Sequence, residues 1–299
     1  MSSWAAACKG LPLLGAVVLG GCTAAPPPPQ QWPGDGCQAT VADSTVRSRR
    51  WDVQTETAVV AVSALLPRKA CFPAVVLTPG GLQPGQSLLS SPLADALSSS
   101  GIGVFAWDPP GRGESEGQED ANGPAGQDAL AALLRWVAAH DEVDPSMVVL
   151  YTRSFGAALG AGALARHPDL QPSHWLDYEG PGWLEEDLDF ADPNNRETLA
   201  AYADESTDPQ QWWRDRSPAA QMADTTTPYR RLQGLPDHAL GPRVAHAQAM
   251  LSAGTDAHLN TTAVPEKITE QWVQSNVVDG GLSYDGDDAI ALVRQSMDW

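Results

Sequence analysis

The stretch Met147-Val148-Val149-Leu150-Tyr151-Thr152-Arg153-Ser154-Phe155-Gly156-Ala157-Ala158-Leu159-Gly160 decides how this chain is read. A short apolar run ends at Tyr151, and a run of small residues begins at Gly156. The pattern predicts a buried strand, a sharp turn at Ser154 and a helix. A serine at such a turn is held in a strained backbone, with its hydroxyl above the sheet edge and a helix N-terminus beside it. The first position of the turn, usually Gly, is the β-branched Thr152.

Outward from this point the same rhythm repeats. Alternation from Thr45 to Leu66, broken at Gln54-Thr55-Glu56-Thr57, predicts two antiparallel strands. Ala74–Leu77 and Ile102–Trp107 are short continuous apolar runs, the pattern of buried strands. Helices are predicted over 92–100, 125–140 and 156–167, and another strand over 173–177. Strands alternating with helices at this spacing argue for a mostly parallel sheet covered on both faces. Residues 183–222 break the rhythm with an acidic, Trp-rich segment, read as a short cap insertion with helices over 197–203 and 210–214. The rhythm returns with a strand over 229–232, the turn Gly234-Leu235-Pro236-Asp237-His238 and a helix over 242–252. A further strand is expected at 257–264 or at 268–278, and a terminal helix over 289–299.

The 299 residues carry a formal charge of −19, which disfavours nucleic acid and anionic lipid headgroups as partners. Lys9, the apolar run Leu11–Leu19 and the small residues Gly20-Gly21 before Cys22 form a secretory signal pattern, too short for the roughly 20 apolar residues of a membrane span. Leu19-Gly20-Gly21-Cys22 resembles the lipobox of bacterial lipoproteins, which implies cleavage before Cys22 and diacylation of its thiol; a soluble secreted protein is the alternative. Residues 22–44, with Pro26-Pro27-Pro28-Pro29, read as a semi-rigid tether. The expected location is the bacterial cell envelope, with the membrane engaged through lipid alone. In that oxidising compartment Cys37 and Cys71 remain as an even pair, expected as a disulfide; two separate buried thiols are the alternative.

Four motifs in order carry a family resemblance: Thr78-Pro79-Gly80-Gly81, then Asp108-Pro109-Pro110-Gly111-Arg112-Gly113-Glu114-Ser115, then Thr152–Gly156, then Gly234–Asp237. Over roughly 45–299 the chain resembles the α/β-hydrolase fold, in its prolyl-oligopeptidase and dienelactone-hydrolase branch. The resemblance implies a serine hydrolase of a small ester or amide, needing no cofactor or metal. Ser154 would be the nucleophile and Asp237 the acid, with Glu179 or Asp177 as alternatives. The amides of Phe155 and of Gly80 or Gly81 would receive the oxyanion. The histidine departs from the pattern. The base should follow the acid by about 30 residues, after one more helix and strand. No histidine lies there, near Pro265–Thr269, and the segment Val278–Tyr284, which resembles the family's glycine-flanked histidine loop, has Leu282 in the histidine's place. His238 and His258 are the candidates for a displaced base, whereas His246 reads as a helix-face residue. If neither serves, the chain is a catalytically silent hydrolase-fold scaffold that binds a small ligand or a protein partner.

Overall fold

Strand pairing follows directly from the apolar runs. A computed structural model describes residues 45–69, 71–183, 193–239, 243–256, 269–276 and 285–297. The signal segment, Cys22, the tether, Cys37, His258, the expected strand at 257–264 and the Leu282 loop lie outside the described residues.

Strands β1 (Val46–Gln54) and β2 (Val59–Pro67) form an antiparallel hairpin in register from Val46↔Pro67 to Gln54↔Val59. Its turn is closed by Thr55, whose hydroxyl accepts from the Ala58 amide at 3.0 Å and donates to the Ala58 carbonyl at 2.7 Å. This polar interruption is therefore the turn itself, a short side chain supplying the backbone's missing partners. Strands β3 (Phe72–Thr78) and β4 (Gly103–Trp107) are buried at every residue. With β5 (Val143–Arg153), β6 (His174–Tyr178) and β7 (Tyr229–Leu232) they complete a sheet of order β1-β2-β4-β3-β5-β6-β7. Pairing is parallel from β4 through β7.

Alternation along β3 divides the core. Ala74 and Val76 face one apolar layer with Leu130 and Leu133 of α2 (Pro124–Ala138) and Leu159 of α3 (Gly156–Arg166). Val75 and Leu77 face the other, with Leu93 and Leu97 of α1 (Pro92–Ser99) and residues of the C-terminal helix. Between β6 and β7 come α4 (Pro193–Asp204), α5 (Pro209–Asp215) and α6 (Pro218–Gln221). Helix α5 begins earlier than expected because proline suits a first helical position and Asp208 caps the Gln211 amide at 3.0 Å.

After β7 lie α7 (Ala245–Asp256), α8 (Glu270–Asn276) and α9 (Asp287–Gln295). Helix α8 corrects the alternative of a strand over 268–278. Thr269 accepts from the Trp272 amide at 3.2 Å, a helix-starting cap that outweighs the short apolar run. Among the described residues the sheet ends at β7. No helix there is long and apolar enough to cross a membrane. Cys71, at the entrance to β3, is disulfide-bonded, and its partner lies outside the described residues.

Candidate active site

Ser154 follows β5 at φ +51°, a left-handed conformation that costs a non-glycine residue on the order of 1–3 kcal/mol. The surroundings hold it there. The Ser154 amide donates to the Tyr178 carbonyl at 2.8 Å, and its own carbonyl accepts from the Ala157 amide at 2.9 Å as α3 begins. A Cβ on Gly156 would collide with the Pro79 carbonyl, so only glycine lets the turn pack against the loop after β3. Thr152 replaces the usual glycine because it has work to do below the turn. Its hydroxyl accepts from the Trp175 indole at 2.8 Å and lies 3.2 Å from Asp177. Gly160 of α3 leaves the space that the Thr152 methyl fills.

Parallel pairing of β5, β6 and β7 brings three loops to one edge of the sheet. Tyr178 is in register with Arg153 and with Leu232. The Glu179 amide then donates to the Leu232 carbonyl at 3.0 Å, so the turns after β6 and β7 are stitched together just as those after β5 and β6 are. His238, in the turn after β7, stands between them. Its Nε2 is 2.7 Å from the Ser154 hydroxyl oxygen and its Nδ1 is 2.5 Å from Glu179 Oε2. An ionised carboxylate can only accept, so Nδ1 carries the ring proton and Nε2 presents its lone pair to the serine. Glu179 is 2% exposed and is itself held in a left-handed conformation at φ +49°. Its other oxygen accepts from the Gly234 amide at 2.8 Å, and Oε2 also accepts from the His238 amide at 3.1 Å. The Tyr178 ring stacks on the imidazole at 6.1 Å between centroids. Burial and the charge of Glu179 push the Tyr178 phenol up to about 12.

Of the carboxylates near the ring, Glu179 and not the expected Asp237 makes the hydrogen bond. Asp237 does not hold the ring: its Oδ1 is 4.0 Å from His238 Nδ1 and accepts from the Ala239 amide at 2.8 Å, while Oδ2 accepts from Gln233 at 2.9 Å. Asp237 shapes the turn that presents His238, and Glu179, the alternative in the sequence, makes the ring contact. Asp177, the other alternative, is fully buried two residues before Glu179 and is engaged elsewhere. It takes Arg231 Nη1 and the Tyr229 hydroxyl, each at 2.8 Å. Burial raises the Asp177 carboxyl, opposed by the Arg231 charge. Arg231 passes the network on through Gln233 to Asp237, so a buried polar relay underpins the His238 turn. The sequence signal for Arg231 and Gln233 is weak, since an arginine in a short strand and a glutamine just after it read as exposed.

The expected oxyanion segments adjoin the serine. A Cβ on Gly80 would lie 3.0 Å from the Ser154 Cβ, and Gly81 sits at φ +56°. Phe155 sits at the N-cap of α3 and packs with Ala121, Leu199, Ala203 and Trp213, so α4 and α5 lie over the turn. Asp108 serves the scaffold, accepting from the amides of Gly85 at 2.8 Å and Glu114 at 3.0 Å. His246 is buried on α7, accepts from the Gly182 amide at 3.2 Å and is held down to about 4 by desolvation and by the Arg231 charge. Glu179, Asp237 and His238 offer ligand atoms within 4.8 Å of one another. Each carboxylate oxygen there already accepts an N–H donor, a set that suits a proton relay better than a cation.

No family model matches the chain, and no curated protein matches it. Solved structures do. A puromycin-hydrolyzing peptidase of Mycobacterium tuberculosis superposes with TM-score 0.57 at 18% identity, covering 72% of this chain and 34% of the peptidase. The 2,6-dihydroxy-pseudo-oxynicotine hydrolase gives TM-score 0.58 at 15% identity, covering 84% and 67%. An acylaminoacyl peptidase, bound to Z-Gly-Gly-Phe-chloromethyl ketone, gives 0.54 at 14%, covering 72% and 36%. This chain thus spans about a third of the length of the two peptidases. At these identities the likeness is one of architecture. With its order β1-β2-β4-β3-β5-β6-β7 and helices on both faces, the chain has the α/β-hydrolase fold.

Proposed function

We propose that this protein is a serine hydrolase of esters or amides, with its catalytic acid and base each moved one strand earlier than the sequence pattern leads one to expect. One observation carries the reading: the His238 ring bridges a strained serine at 2.7 Å and a buried carboxylate at 2.5 Å. Both contacts lie within hydrogen-bond reach for proton transfer.

In this reading Ser154 Oγ attacks the carbonyl carbon as His238 Nε2 takes its proton. Glu179 holds the ring in the tautomer that can accept it and stabilises the resulting imidazolium. The carbonyl electron pair moves onto oxygen, where the amides of Phe155 and of Gly80 or Gly81 receive it. Collapse of the tetrahedral species expels the alcohol or amine, which takes the proton from His238. Water then repeats the sequence on the acyl-enzyme and frees Ser154. The neighbours in fold include peptidases and a hydrolase of a small molecule, which supports hydrolysis without selecting the substrate. We also propose the envelope lipoprotein reading, with Cys22 lipidated and Cys37 paired to Cys71.

The test is hydrolysis of a short p-nitrophenyl ester, together with labelling by a fluorophosphonate probe. The expected result is turnover and labelling in the wild type and neither in Ser154→Ala. Equal rates for the two proteins would reject the proposal.

A further inference from the structure

Two amides that receive one oxyanion must keep their spacing to within a few tenths of an ångström, since useful donors sit about 2.7–3.1 Å from the oxygen. Here they come from segments far apart in the chain, the loop after β3 and the turn after β5. The parallel pairing of β3 with β5 sets them side by side as far as Thr78↔Thr152, and beyond that pair their spacing depends on what bonds the two loops to each other.

Asn122 bonds both. It is fully buried, in the loop before α2, and takes the left-handed conformation at φ +61° immediately after Ala121 at φ +54°. Its Nδ2 donates to the Phe155 carbonyl at 2.8 Å and to the Gly81 carbonyl at 3.4 Å. The second contact is weak alone, but Arg112 Nη1 donates to the same carbonyl at 3.4 Å. The amide cannot be turned over, because Asn122 Oδ1 accepts from Arg112 Nη2 at 2.6 Å and a flip would set donor against donor. Arg112 is in turn clamped by both oxygens of Glu119, whose Oε1 also accepts from the Ala121 amide at 2.7 Å. The unit Glu119–Arg112–Asn122, buried at Arg112 and Asn122, therefore ends on the carbonyls of the two residues expected to present the oxyanion amides.

Resting on the serine-hydrolase reading above, we propose that Asn122 is a positioning residue for the oxyanion site, with Arg112 fixing its orientation. It holds the Gly80-Gly81 loop at a set distance from Phe155, so both N–H groups converge on one oxygen. A purely scaffolding role predicts loss of stability alone. A positioning role predicts loss of transition-state binding at unchanged substrate binding.

The variants are Asn122→Ala and Asn122→Asp. The aspartate keeps the size and the acceptor for Arg112, and turns the donor to Phe155 and Gly81 into an anionic oxygen that faces both carbonyls; the alanine removes the donor without adding charge. Steady-state hydrolysis of the p-nitrophenyl ester is measured beside thermal melting. The expected result is a kcat lower by about 10–100-fold in both, less than the 10²–10³-fold cost of deleting a whole donor, with KM within about twofold. The fluorophosphonate labelling rate of Ser154 should fall in parallel. A cooperatively melting Asn122→Asp protein with wild-type kcat and labelling rate overturns the proposal. Absence of Ser154 labelling in the wild type defeats the hydrolase reading instead, so the two failures are separable.

Discussion

Replacing Glu179 with glutamine separates the two acids that flank His238. The carboxylate accepts three N–H groups: Gly234 at 2.8 Å, the His238 amide at 3.1 Å and the ring at 2.5 Å. A glutamine has one acceptor oxygen and an NH₂ group in the same volume. If its oxygen stays on Gly234, its NH₂ faces the imidazole. The ring can then only accept through Nδ1, which moves its proton to Nε2 and presents a donor to the serine. A wrong tautomer of this kind lowers kcat by about 10⁴-fold in the Ser-His-Asp template, roughly 5.5 kcal/mol of barrier. For Glu179→Gln we expect a 10³–10⁴-fold loss of kcat by the same mechanism. KM should hold within about threefold, because a side chain buried beneath the ring does not reach substrate. Asp237→Asn provides the contrast. It weakens one bond from Gln233 or Ala239, about 1 kcal/mol, and so costs no more than about tenfold. Hydrolysis of the p-nitrophenyl ester by the three purified proteins reads both. The reasoning is refuted if Asp237→Asn loses as much activity as Glu179→Gln, or if Glu179→Gln keeps a tenth of the wild-type kcat.

Acid should weaken the fold through His246. Its folded value of about 4, against an ordinary 6.5, means the unfolded chain binds the proton first. That contribution is complete above pH 6.5 and is lost as pH falls toward 4, by about 3 kcal/mol at roughly 1.4 kcal/mol per pH unit. In His246→Asn, which keeps an acceptor for Gly182, urea melts at about pH 7.5 and about pH 4.5 should differ by clearly less than in the wild type; an unchanged difference would assign the acid loss to other groups. Mass spectrometry of the protein from a bacterial envelope should find diacylated Cys22 at the N-terminus and, without reductant, a peptide pair joining Cys37 to Cys71. An unmodified Cys22 or two free thiols would end those proposals.

Most of the scaffold could be read from local pattern. The runs at Ala74–Leu77, Ile102–Trp107 and Met147–Tyr151 became β3, β4 and β5 because continuous apolar strands are stable only inside a covered sheet. The turn at Ser154 was legible for the same reason, with glycines placed where backbone meets backbone. Prediction was poorest where short polar side chains decide the outcome, as with Thr269 starting α8 where a strand had been an option.

The acid and the base show where local reading stops. Counting residues forward from Asp237 leads to an empty stretch of chain, since such counting assumes that acid and base follow successive strands. His238 and Glu179 are 59 residues apart, and only the parallel pairing of β6 with β7 brings their turns together. By itself the amino-acid order determined a sheet of buried strands and a serine at its bend, because burial and backbone freedom are local properties. Which carboxylate reaches which ring nitrogen was decided by strand register, a relation between distant segments that no local pattern contains.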